Sequence, residues 1–131
     1  MSSKMTQANR SPHGWWIAVL IERYEHFDED VTNSNRRCTC WRNTIIIKAR
    51  DRNEAYRKAV AQGKLGEGTV CGPEHDRQGH WVFEGLSSLL PIYEKLEDGA
   101  EILWEENKNM AVKTVKALVR EKKELECFQD E

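Results

Sequence analysis

With 131 residues, 39% of them hydrophobic and 32% charged, the chain has the length and make-up of one globular domain with a well-solvated surface. Its 20 basic residues against 22 acidic ones leave a net charge of −2, which lends no support to non-specific binding of nucleic acid or anionic lipid. No apolar run approaches the roughly 18 residues of a membrane span. Residues 1–14 lack the apolar stretch of a secretory signal. A chain of this size needs neither disulfide nor metal to hold its core. The expected setting is therefore the cytoplasm, with Cys38, Cys40, Cys71 and Cys127 as free thiols.

Residues 1–12 are polar and rich in Ser, Asn, Gln and Thr, and read as a disordered tail. Residues 15–24 open with Trp15 and Trp16 and carry β-branched residues on both faces at their centre, as expected of an inner strand. A polar connection over 26–37 leads to a second strand over 40–49, centred on Ile45, Ile46 and Ile47. Asp51 followed by Glu54 reads as a capped helix start; Ala55 and Ala59, flanked by Tyr56 and Val60, form its apolar side, and Gly63 its end. Residues 65–79 are a glycine-rich loop.

A third strand is expected over 80–86, with Trp81 and Phe83 on one face. Residues 87–95 form either a short edge strand, where Pro91 is tolerated, or a helical turn. Glu97, Asp98 and Gly99 signal a turn, and a fourth strand is expected over 100–105. From Asn107 the apolar period becomes helical, with Ala111, Val115, Leu118 and Leu125 on one stripe. The fold expected is α+β: an antiparallel sheet of four to five strands, one helix after the second strand, and a long C-terminal helix over 107–131 packed on one sheet face or used as a dimer contact. Residues 13–106 form its domain.

The opening Trp-Trp-Ile-Ala-Val-Leu run, the Ile-rich second strand, the segment 49–59, the strand 81–86 and the turn region 96–102 together resemble a bacterial family known as domain of unknown function 4288. The resemblance covers residues 15–106. It implies a compact β-β-α-β-β unit and a bacterial source, and it carries over no catalytic residues.

Chemistry-bearing residues are few. Cys38, Cys40, Cys71, His75 and His80 include ligand types for zinc, but Cys-Thr-Cys is tighter than the usual knuckle spacing, so the simpler reading is unrelated thiols. Cys38 follows Arg36 and Arg37, a sign that suits a thiolate nucleophile. Arg36, Arg37 and Arg42 around Trp41 form a minimal single-strand nucleic-acid pattern. Glu84, mid-strand, would need Arg23 or Arg42 as partner if buried. Glycines at 63, 66 and 68 lack the Gly-Lys-Ser/Thr ending of a phosphate loop.

The five tryptophans read first as core, with Trp15 and Trp16 as the alternative surface anchors. No catalytic, cofactor-binding or metal residue is assigned. The leading expectation is a non-enzymatic protein-interaction or accessory module, contacting a protein partner or a second copy through Trp15, Trp16, Val115 and Leu118. An immunity-type role is one form of it, by analogy alone. The alternatives are a metal- or thiol-dependent protein and a single-strand nucleic-acid binder.

Overall fold

The structure, a computed structural model, describes residues 10–68 and 78–129. Its centre is a three-stranded antiparallel sheet in the order β2-β1-β3, where β1 is Trp15–His26, β2 Cys40–Lys48 and β3 Gly79–Pro91. The helix α1, Arg52–Leu65, follows β2, and a second helix, α2, spans Val112–Ala117. Two single turns of 3₁₀ helix, Lys122–Glu124 and Glu126–Phe128, complete the chain. No helix among the described residues is long and apolar enough to cross a membrane.

β1 is the inner strand, as its two-faced apolar centre requires. Trp16, Ala18 and Leu20 point to the face that α1 covers, where Ile47, Ala49, Ala55 and Ala59 complete the core and Ile45, Phe83, Leu86 and Leu89 pack on it. Burying each large apolar side chain of this kind is worth about 1.5–3 kcal/mol. The Trp16 indole N–H reaches the Ala49 carbonyl at 3.1 Å, so this ring is sealed in the core rather than presented as a surface anchor. Trp15 is half-buried, with the Lys48 ammonium 5.0 Å from its ring centroid.

α1 begins as its sequence dictates. The Asp51 carboxylate accepts from the Glu54 N–H at 2.8 Å, while the Glu54 carboxylate accepts from the Arg50 N–H at 2.8 Å, one residue before the usual partner of a capping box. Ala55, Ala59 and Gly63 line up at i, i+4 and i+8 and are buried, so the helix lies close to the sheet. Gly63 is thus inside the helix and not its end; the last turn closes at Gly66, whose N–H donates to Gly63 at 3.2 Å.

β3 unites what the sequence divides. The expected strand 80–86 and the undecided segment 87–95 are one strand with two bulges. Its register against β1 skips Ser87, so Leu86 faces Leu20, and then skips Glu84, so Phe83 faces Glu22. Each skip returns an apolar residue to the α1 face that continued alternation would have given to Ser87 and then to Glu84. Gly85 sits beside the second bulge at φ +145°, a conformation that side chains resist.

Two expectations are overturned. Among the described residues the sheet has three strands, not four or five. The turn at Glu97–Ala100 does form, with Gly99 at φ +87° and the Ala100 N–H on the Glu97 carbonyl at 2.9 Å. However, the Glu94 side chain takes the Glu101 N–H at 3.2 Å, the Ile92 N–H goes to Trp15, and residues 100–106 join no ladder.

Nor does a long C-terminal helix form. α2 has six residues, no side-chain N-cap bond and no buried residue. None of its Cα atoms comes within 8 Å of a strand or of α1. Val112, Thr114, Val115 and Val119 are β-branched and weaken the helix, and an unpacked helix shorter than about 12 residues is marginal in water. Glu121 then starts a separate turn, its N–H on the Glu124 carboxylate at 3.1 Å.

Candidate functional site

The densest polar constellation among the described residues lies where β1 leaves the sheet. Strand alternation puts Arg23 and Glu25 on the face away from α1, and the β1–β3 register sets His80 opposite Glu25. Glu25 is the hub. Its Oε1 accepts from Arg23 Nη1 at 3.2 Å and from Arg36 Nη2 at 2.9 Å, and its Oε2 lies 3.6 Å from His80 Nε2. Arg23 Nε also donates to Glu84 Oε2 at 2.5 Å, which identifies Arg23 as the partner of the bulged glutamate. Arg36 Nε reaches Glu29 at 3.2 Å, and its Nη1 donates to the carbonyls of Val31 and Asn33.

The electrostatics follow from this geometry. Desolvation between the strands would by itself raise the Glu25 pKa, but the bonds and charges of Arg23 and Arg36 outweigh it and hold the carboxyl below its ordinary range. Arg23 is held above its ordinary value, first by its bond to Glu84. Arg36 is likewise raised, first by Glu29. Two guanidiniums thus serve three carboxylates, Arg23 through two bonds and Arg36 through bonds from all three of its nitrogens. Such a set works as a clamp that fastens the loop after β1 to the sheet. It does not set two carboxyls in unlike environments across a cleft, as acid–base chemistry needs.

Beside the clamp is a cleft of about 250 Å³ lined by Arg23, Ser34, Arg36 and Cys38, below the usual size of a small-molecule site. On the opposite face of the sheet the aromatics gather. Tyr24 meets His26 edge-on at 4.9 Å and Trp81 at 5.5 Å, and Trp41 lies 4.5 Å from Trp81. His26 Nδ1 is buried without a hydrogen-bond partner among the described residues.

Cys38 and Cys40 are exposed at the entry to β2, whereas His80 is held at Glu25 and stacks on Phe27 at 5.6 Å. Cys71 and His75 lie outside the described residues. Among the described residues no three His, Cys, Asp or Glu side chains are grouped as metal ligands. The arginine–tryptophan pattern is taken apart: Arg36 is spent in the clamp, and Trp41 and Arg42 point to opposite sheet faces. Trp41 is half-exposed, not core. Val115 and Leu118 are exposed. The hub Glu25 and the second carboxylate on Arg36, Glu29, were not among the residues the sequence pointed to as a site. The Arg-x-Glu spacing of Arg23 and Glu25 on a strand was the available signal.

An inner strand flanked by two antiparallel neighbours, with one capped helix over one face and a salt-bridged loop at the far end, defines a small mixed α and β domain. The family described as "Domain of unknown function (DUF4288)" matches residues 15–104, and the chain belongs to it. The match ends before α2. No curated protein and no solved structure matches the chain.

Proposed function

We propose that this protein is an interaction module, in which the sheet domain is the scaffold and residues 107–129 are the docking arm. One observation carries this reading. Val112, Val115, Leu118, Val119, Leu125 and Phe128 are all exposed, on a segment whose helix packs on no other element. Scattered exposed apolar residues are ordinary, but a run of them at helical spacing is the pattern of a segment that folds its apolar side into a partner's groove. Its early charged positions are Lys108, Lys113, Lys116 and Arg120, with no acid among residues 107–120. The complementary surface is therefore apolar with an acidic rim, on another protein or on a second copy.

The test is photo-crosslinking from a benzoylphenylalanine at position 119 of the full chain in extracts of its source cells. A discrete protein adduct that disappears in the Leu118→Asp background is expected. Absence of any discrete adduct, together with unprotected amides over residues 112–117 in hydrogen exchange, overturns the reading.

A further inference from the structure

The two edges of the sheet are treated differently. The outer edge of β3 is defended along its length. The Gly68 N–H occupies the Trp81 carbonyl at 3.1 Å, and the Glu67 carboxylate accepts from the Phe83 N–H at 3.4 Å. Bulges at Glu84 and Ser87 then interrupt the edge, and Pro91, which has no N–H, ends it. These are the devices by which natural sheets refuse a further strand.

β2 has none of these along its middle. The Tyr24 N–H donates to the Thr39 carbonyl, and the Ala49 N–H to Gly14, so the odd-numbered residues of β2 spend their main-chain groups on β1. The even-numbered ones face outward. Lys58 Nζ takes the Lys48 carbonyl. The N–H and C=O of Arg42, Thr44 and Ile46 have no partner among the described residues. The same strand bears two half-exposed large apolar side chains, Trp41 on one face and Ile46 on the other.

We infer that β2 pairs antiparallel with β2 of a second copy of this chain, about a two-fold axis through Thr44. That register sets Thr44 against Thr44 and Arg42 against Ile46, so the outward main-chain groups of all three residues meet outward groups. It is the register that overlaps the whole of Cys40–Lys48 with its twin. A shift by two residues would bring Arg42 opposite Lys48, a like-charge pair, or opposite Thr44, and either shift cuts the overlap from about nine residues to about seven. On the face away from α1 the Arg42 stem covers Ile46 of the partner subunit, both positions being exposed in the single chain. The contact is isologous and closed. It joins two three-stranded sheets into one and keeps both copies of α1 on one side. The inference goes beyond the docking arm and does not depend on it.

The register gives the test. Sedimentation of the full chain across concentration is expected to show a monomer–dimer equilibrium. Hydrogen exchange is expected to show the Arg42, Thr44 and Ile46 amides gaining protection as dimer forms, while those of Asn43 and Ile45 stay protected throughout. Ile46→Lys sets a charge against Arg42 of the partner subunit twice per dimer and should weaken association about tenfold. Adding Arg42→Glu to Ile46→Lys replaces both repulsions by attractions and should restore it. Both positions face solvent, so circular dichroism should show the native fold in each variant. Leu118→Asp should leave this dimer intact, which separates it from association through the docking arm. A monomer at every concentration overturns the inference, and so does a dimer whose Thr44 amide stays unprotected or an Ile46→Lys defect that Arg42→Glu fails to repair.

Discussion

Gly63 of α1 lies directly beneath the ring of Phe83 on β3: a Cβ built on this glycine would stand 2.3 Å from Phe83 Cε1. The helix can approach the sheet this closely only because the side chain is missing. Gly63→Ala would raise helix propensity by up to about 1 kcal/mol, but it drives a methyl into a packed ring, and overpacking costs about 1–3 kcal/mol. The expected outcome is a lower urea midpoint with an unchanged m-value.

The Trp16 indole offers a second test of the core. Trp16→Phe keeps most of the apolar volume but removes the donor to the Ala49 carbonyl, at 3.1 Å in a buried position. Leaving that acceptor unpaired should cost about 1–3 kcal/mol. Equilibrium unfolding followed by far-ultraviolet circular dichroism checks it.

Acid should loosen the clamp. Glu25 is held below its ordinary value of 4.5, so it binds protons less readily folded than unfolded. Its contribution to stability is fully present above that value and is lost as pH falls through the lower, folded one. Glu54 acts in the same direction, held down first by the Arg50 N–H and then by the Arg50 guanidinium. Urea midpoints between about pH 6 and pH 3 should fall for the native chain and fall less steeply for Glu25→Gln.

Arg36→Ala should release the loop without melting the sheet. This side chain bridges Glu25, Glu29 and two loop carbonyls, and none of these bonds belongs to the β ladder. Trypsin should cut after Arg37 several-fold faster in the variant, with the thermal midpoint little changed. A native-like cleavage rate would show that the loop is held by other contacts.

Where the information was local, the sequence was readable. The aromatic and β-branched run at Trp15 to Ile21, the isoleucines of β2 and the Asp51 cap each act within a few residues, and all stand as read. The Arg23–Glu84 pair was among the candidates because strand position limits which charges can meet. The clamp as a whole was not readable. It closes across three segments, and Glu29 and Arg36 reach it only through the path of a loop.

By itself the sequence determined the inner strand, its neighbour, the capped helix and the family to which they belong, because side-chain periodicity and capping chemistry are short-range properties. Tertiary structure decided the rest. Two bulges fused the undecided 87–95 segment to the strand before it, since only that register keeps Leu86 and Phe83 on the covered face. A glycine that looked like a helix end became a packing contact, because its neighbour comes from a distant strand. The amphipathic C-terminal pattern gave six helical residues instead of a long helix, for a periodic apolar stripe is stable only when something covers it.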